Sequence, residues 1–373
     1  MTPRLMQAAL LLVLTACGPS PSATAQRAEA GDRPFSATPV AKFDTPWAMA
    51  FLPGSGVPMT NAALVSERDG RLWLLDAASG EKQAVSGVPA VAVAGQGGLG
   101  DVVAAPDFAG SGRIYLSFAE AGPNGTSGAA LGYGTLVLGE GAPRLEGFRV
   151  IWRQRPKVSG NGHFSHRIAF ARDGTIFLSS GDRQKMTPAQ DRNSDLGKII
   201  HLTAEGQPIG GRFFSMGHRN ALGLAFDADG RLWNVEMGPR GGDELNLIEQ
   251  GKNYGWPEAS YGSHYGGGDI PDDHKGRGFI EPKLWWTPSI SPAGLIIYSG
   301  DLFPEWKGDA LFGALSGQSL IRADLDGTSA RKADQWDMGA RIREVEQGPR
   351  GEVYLLEDED SGGRLLRLES VRR

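Results

Sequence analysis

Three stretches of this chain carry residue types suited to chemistry. The first is Gly162-His163-Phe164-Ser165-His166-Arg167, which runs on into Ile168-Ala169-Phe170. An imidazole with a near-neutral pKa is a natural base for a hydroxyl proton. Read as a strand, the segment places His163, Ser165 and Arg167 on one face. His163 is the candidate base, and His166 reads as a hydrogen-bonded surface residue. The second stretch joins His218-Arg219-Asn220 to Gly238-Pro239-Arg240-Gly241-Gly242-Asp243-Glu244 and to Asn253-Tyr254-Gly255-Trp256-Pro257. A Gly/Pro-rich loop ending in two adjacent acids exposes backbone carbonyls beside carboxylates. Hard oxygen donors of mixed type suit Ca²⁺, although a solvated turn has the same composition. The third is Arg341-Ile342-Arg343. Its guanidiniums point the same way from a strand and match carboxylates in bidentate fashion. With Glu344 and Glu346 beside them, they read equally well as a solvated strand face.

A fourth run, Gly95-Gln96-Gly97-Gly98-Leu99-Gly100, has the glycines of a phosphate cradle, but no helix follows it, so that reading is weak. The four stretches lie far apart in sequence, and only a fold that gathers distant loops can bring them together.

A short signature points to that fold. Gly, any residue, a Leu or β-branched residue, then an aromatic opens an apolar run at Gly70, Gly112, Gly174, Gly230 and Gly351, with a looser copy at Gly308. Asp precedes the glycine in three copies, and an Asp-Gly turn feeding an alternating strand is a hairpin signal. The copies recur every 40 to 80 residues or so, against about 40 to 50 for a four-stranded propeller blade, so the longer intervals imply loop insertions. The expected architecture is all-β, a six-bladed β-propeller, with a pair of non-repetitive sandwiches as the alternative. Radial repetition keeps exposed sheet edges short and brings loops together at one face of the axis.

Composition agrees. Of 373 residues 54 are glycine, without a collagen-like period, and they sit singly between apolar runs as turn residues do. Net charge is −5, and no basic cluster suggests a nucleic-acid partner. Arg4, the apolar run Ala8 to Leu14 and Leu14-Thr15-Ala16-Cys17-Gly18 read as a lipoprotein signal peptide over 1–17. Cys17, the sole cysteine, would be the lipidated first residue of the mature chain. Residues 18–36 read as a flexible tether and 37–373 as the propeller. The expected location is exported, on the periplasmic side of a bacterial membrane and held there by lipid alone.

Gly-Pro-x-x-x-Asp-Glu together with Asn-Tyr-Gly-Trp-Pro resembles the soluble PQQ-dependent glucose and aldose sugar dehydrogenases, six-bladed propellers that use pyrroloquinoline quinone (PQQ). The resemblance covers about residues 42 to 370. It implies oxidation of the anomeric hydroxyl of an aldose to a lactone, with electrons leaving to an external acceptor. His163 would take the hydroxyl proton, and Arg343 or Arg341 would stabilise charge developing on the quinone. Gln96, Arg167, Asn220, Arg341 and Arg343 would bind the cofactor. The carbonyls of Gly238 and Pro239 would hold a catalytic Ca²⁺, and Asp243, Glu244 and the Tyr254 region a structural one.

The chain also departs from that pattern. Ser316 stands where relatives have a cofactor-binding Lys, and Gly162 where the glucose type has Asp. Trp286 and Ser289 fall near a cofactor-contact segment. His264 and Tyr265 lie in a Gly-rich insertion and read as an exposed loop. Two other readings share the fold: a Ca²⁺-dependent lactonase, and a non-catalytic propeller that binds a glycan or protein.

Overall fold

Each glycine of the repeated signature takes a positive φ, between 63° and 100°, a region that side chains with a Cβ avoid. That is why glycine opens each apolar run: it turns the chain so that a strand can pair back on the one before it. A computed structural model describes residues 33–371, apart from positions 55, 57, 58, 60 and 140. Within them the runs form six four-stranded sheets with antiparallel pairing. Helix is confined to one α-helical turn, Phe108–Ser111, and four short 3₁₀ segments among the described residues.

The innermost strands are Pro46–Phe51, Leu99–Ala104, Ser165–Phe170, Ala221–Phe226, Pro292–Ile297 and Ile342–Gln347. Each touches the innermost strand on either side, so the six sheets close into a ring. This is the expected six-bladed propeller. Five copies of the signature lead the second strand of a blade, but the copy at Gly70 leads the third strand of the first blade, Leu72–Asp76. The same Asp-Gly turn serves either hairpin, so the signature counted the blades without fixing the strand.

The ring is closed by the N-terminal strand Phe35–Lys42, which pairs with Arg364–Ser370 as the outer strand of the sixth blade. Phe35 and Ser36, expected in the tether, are therefore part of the fold. The reason is apolar burial: the Phe35 ring meets Trp306 and Trp336 edge-on at 5.9 and 5.4 Å, and the residue is 4% exposed. Cys17 and the rest of the leader lie outside the described residues.

One irregularity repeats in all six blades. Where the innermost strand begins, its pairing with the second strand slips, at Pro46/Ala48, Leu99/Val102, Ser165/Ile168, Ala221/Gly223, Ala293/Leu295 and Ile342/Glu344. Such bulges re-aim side chains. They overturn the strand alternation expected around His163, because His163, Ser165 and His166 all take positive φ, near 50° to 60°.

Arg167, expected on the cofactor, lies instead among the packed inner strands. Its Nε donates to the Leu222 carbonyl at 2.9 Å, Nη1 meets Glu344 and approaches Asp101 at 3.5 Å, and the guanidinium lies 4.2 Å from the Trp47 ring centre. Five of the six inner strands thus meet on one side chain. Burial raises the Glu344 carboxyl to about 7 against the lowering effect of Arg167. His166 is likewise interior, 2% exposed, and the expected surface role is overturned. Ser117 Oγ donates to the His166 carbonyl at 2.6 Å and lies 3.0 Å from its Nδ1. A Cβ on Gly100 would fall 1.9 Å from the imidazole, so this glycine makes room for the ring.

Two outcomes follow. Arg167→Met leaves Asp101 and Glu344 buried without their cation and should cost about 3–5 kcal/mol in urea unfolding. Burial pushes the His166 pKa down to about 3, so folded His166 stays neutral while the unfolded chain takes up a proton below about 6.5. Stability should therefore fall with pH between about 6.5 and 3, by up to about 1.4 kcal/mol per unit from this group alone. Urea midpoints of His166→Asn measured across that range should lack this slope.

Candidate active site

The bulged starts of the inner strands, and the loops leading into them, enclose a cavity of about 350 Å³. Trp47 comes from the first blade, Gln96 from the approach to the second, and His163 to His166 from the third. Asn220 and Leu222 come from the fourth, Ser291 from the fifth, and Arg341 and Arg343 from the sixth. The candidate base, the glutamine, the asparagine and the arginine pair, separated by up to 247 positions in the sequence, therefore share one wall-lined space.

His163 is fixed at both its backbone and its ring. Its N–H donates to Gln96 Oε1 at 2.7 Å, and its Nδ1 lies 2.7 Å from Asp182 Oδ1. Asp182 also accepts from Trp256 Nε1 at 2.8 Å and from the Gln184 N–H at 2.8 Å. Burial works to raise the Asp182 carboxyl, but the bonds from His163, Trp256 and Gln184 outweigh it and hold it below the usual range. A carboxylate partner makes Nδ1 the donor, which leaves Nε2 as the acceptor of a neutral ring. Burial is the main cause holding the His163 pKa below its ordinary value. The Asp182 bond opposes it, and the charges of Arg219 and Arg183 add to it. The ring is thus an unprotonated base at neutral pH.

Arg341 and Arg343 do stand side by side, and both lean on one acid. Arg341 Nε donates to Asp358 Oδ2 at 2.8 Å, and Arg343 Nε and Nη2 donate to Asp358 Oδ1 at 3.2 and 2.9 Å. The solvated-face alternative fails because Ile342, Glu344 and Val345 around them are buried. Arg68 and Arg219 add two further guanidiniums to the cavity, and Glu359 and Asp360 add acids near its rim. Arg219 donates to the Met237 carbonyl at 3.0 Å and lies over Trp256 and Tyr265. Tyr265, read as an exposed loop residue, is 68% exposed yet also lines the cavity.

The Gly/Pro loop runs just behind this wall. Met237 lines the cavity, while Gly238 and Pro239 are buried beside it. The Gly238 N–H donates to Asp243 Oδ1 at 2.8 Å, and a Cβ on Gly238 would fall 2.3 Å from the Gly242 carbonyl oxygen. Asp243 Oδ2 receives Ser289 Oγ and the N–H groups of Ile290 and Ser291 at 2.6 to 2.7 Å. Asp243 and Glu244, expected to share a metal, are neighbours on one strand and so face opposite sides of it; Asp243 ties loops together instead. Ser316, at the departure from the family pattern, brings no cation: its Oγ lies 2.8 Å from Ser291 Oγ. Trp286 is buried packing, set edge-on against Phe312.

Glu244 looks into a different, buried polar layer. It pairs across the sheet with Glu236, and its Oε2 accepts from Asn246 Nδ2 at 3.0 Å. Burial, reinforced by Glu236, raises its carboxyl well above the usual range. Asn246 Oδ1 and His274 Nε2 are buried here without a hydrogen-bond partner. Two facing carboxyls and an orphaned amide oxygen make a donor set suited to a hard cation. Among the described residues no three His, Cys, Asp or Glu side chains stand together at metal-ligating spacing, so amide and backbone oxygens would have to complete it. The Tyr254 hydroxyl donates to the Leu247 carbonyl at 2.6 Å, which leaves its own carbonyl as the group it can offer.

Sequence reasoning missed Trp47, Arg68, Arg219 and Asp182. Arg219 lay inside a quoted motif. Asp182 follows the strand Ile176–Ser180 by two residues, and no motif marks it in the sequence.

Comparison with known proteins agrees with this geometry. The family model described as glucose/sorbosone dehydrogenase matches residues 43–367. Aldose sugar dehydrogenase YliI of Escherichia coli K12 is 39% identical over 338 residues, 86% of this chain and 89% of that protein. The crystal structure of the soluble aldose sugar dehydrogenase of E. coli in its apo form superposes with a TM-score of 0.82 at 36% identity, covering 90% of this chain and 99% of that one. The PQQ-bound aldose sugar dehydrogenase of Streptomyces coelicolor gives a TM-score of 0.75 at 29% identity, covering 90% and 98%. With its ring of blades, its imidazole and its paired guanidiniums in one cavity, this chain belongs to the glucose/sorbosone dehydrogenase family.

Proposed function

We propose that this chain is a PQQ-dependent aldose sugar dehydrogenase that oxidises the anomeric hydroxyl to the lactone and passes electrons to an external acceptor. One observation carries the reading: the neutral imidazole oriented by Asp182 and the guanidiniums of Arg341 and Arg343 open into the same cavity. PQQ, when bound, supplies the acceptor for the hydride that leaves the sugar's C1.

The chain's own residues supply the rest. His163 Nε2 takes the hydroxyl proton, and Asp182 stabilises the imidazolium as it forms. Gln96 holds the His163 backbone in place. The four cavity guanidiniums suit a ligand with several carboxylates, and Arg343 is also the cation placed to favour charge developing on the cofactor. Arg68 and Arg219, the two cavity guanidiniums outside the Arg341/Arg343 pair, would supply the positive charge that Ser316 does not. Asn220, on the same wall, is a polar contact for the cofactor.

Calcium belongs to the same proposal. The carbonyls of Gly238 and Pro239, on a loop closed tightly on itself, would hold the catalytic ion, with Lewis-acid chemistry as its contribution. Glu244, Asn246 and the Tyr254 carbonyl would hold the structural one. Export and lipidation at Cys17 complete the picture, since nicotinamide cofactors are confined to the cytoplasm.

His163→Ala should bind PQQ as the wild type does in an absorbance titration, yet lose about 10² to 10⁴ in kcat with a dye acceptor. Activity near wild type would remove His163 as the base, and no spectral change with PQQ would return the chain to the lactonase or binding-module reading. Calcium should raise the Tm by mass action, and Glu244→Gln should shrink that rise. An undiminished rise would take Glu244 out of the metal site.

A further inference from the structure

The loop that carries His163 is held by a residue that the reaction does not touch. Arg183 is a fully buried guanidinium, 0% exposed. Its Nε donates to the Gly162 carbonyl at 2.9 Å, and its Nη1 to the Ser127 carbonyl at 2.5 Å. Its Nη2 donates to the Gly160 carbonyl and reaches Ser127 Oγ at 3.2 Å. Its backbone N–H donates to the His163 carbonyl at 3.2 Å. The guanidinium plane covers the Phe164 ring at 3.7 Å. The carbonyls of Gly160, Gly162 and His163 are therefore all satisfied by one residue.

Those carbonyls need a partner because of the backbone around them. His163 sits at φ 50°, and Arg183 and Gln184 at 55° and 59°. Each left-handed L-residue costs roughly 1–2 kcal/mol, so neither turn persists unless its surroundings fix it. The two turns face each other closely: a Cβ on Gly181 would fall 2.1 Å from the His163 carbonyl oxygen. Asp182 grips the imidazole, and the next residue grips the main chain beneath it.

We propose that Arg183 is a positioning residue for the base: its planar fork locks the left-handed turn at His163 so that Nε2 faces the cavity. The proposal rests on the reading of His163 as the base. Five donors in a fixed plane are what three diverging carbonyls and a ring face require, and a lysine ammonium cannot reproduce them. Buried as it is, the guanidinium has its pKa lowered to about 10, so it remains a cation at neutral pH. The charged groups that act on His163 are Asp182, Arg219 and Arg183.

The test uses Arg183→Lys and Arg183→Met in the full chain, loaded with PQQ and calcium. Arg183→Lys keeps the charge and loses the fork. It should lose about ten- to a hundredfold in kcat, the effect of displacing a reacting group by about 1 Å. Its sugar KM, its PQQ titration and the acid limb of its kcat/KM profile should stay at wild-type values. Arg183→Met should lose as much and also move the acid limb to higher pH, because a cation that depresses the His163 pKa is gone. Arg183→Lys at wild-type kcat overturns the proposal. So does a loss that appears in KM or PQQ affinity, an unmoved limb in Arg183→Met, or insolubility of both variants, which would make Arg183 a residue of the fold alone. Failure of the base assignment reads differently: it leaves His163→Ala active whatever happens at Arg183.

Discussion

The whole site hangs on a buried cation on the propeller axis. Arg167 reaches the Leu222 carbonyl, Glu344 and Asp101, and lies against Trp47, so strands from five blades converge on one guanidinium. A buried ion pair of this kind adds little net stability over an apolar replacement, but removing one partner is strongly destabilising. Its directional bonds also set the relative height of the strands that carry Asn220, His163 and Arg343. Apolar contacts between blades are non-directional and would tolerate sliding. The charge at the centre does not.

Above that hub the fold repeats one device six times. Each inner strand begins with a slip in register, and each slip turns residues inward that a regular strand would send to alternate faces. The cavity is thus lined by strand starts and by the segments that join them. Rigid elements hold a site more closely than loops do, and His163 shows the arrangement at its fullest: its backbone is bonded by Gln96, its ring by Asp182, and its carbonyl by the Arg183 N–H.

The electrostatics of the cavity are mixed by construction. Four guanidiniums face it, and Asp358 bonds Arg341 and Arg343 together while Glu359 pairs with Arg68. Asp358 thereby holds the two cations side by side against their mutual repulsion and fixes where their remaining donors point. Burial holds His163 neutral in the middle of this charge, the state in which its free ring nitrogen can accept a proton.

The sequence alone determined the blade count, the β class and the residues of the main motifs, because these depend on local rules. Glycine at positive φ starts a strand, apolar alternation buries it, and a Gly-Pro loop before two acids keeps its composition wherever it folds. His163, Gln96, Asn220, Arg341 and Arg343 were all readable in this way. Tertiary structure decided what lies between them. Asp182, Arg183, Trp47 and Arg68 come from segments with no motif of their own: the hairpin of the third blade folds Asp182 and Arg183 back onto His163, and ring closure brings Trp47 and Arg68 of the first blade to the same cavity. It also decided against local pattern. Strand alternation put Arg167 beside His163, but three left-handed residues at the bulge turned Arg167 down to the hub and His166 inward. A register slip depends on how two whole strands pair and on what packs against them, and neither is written in the local alternation of residue types.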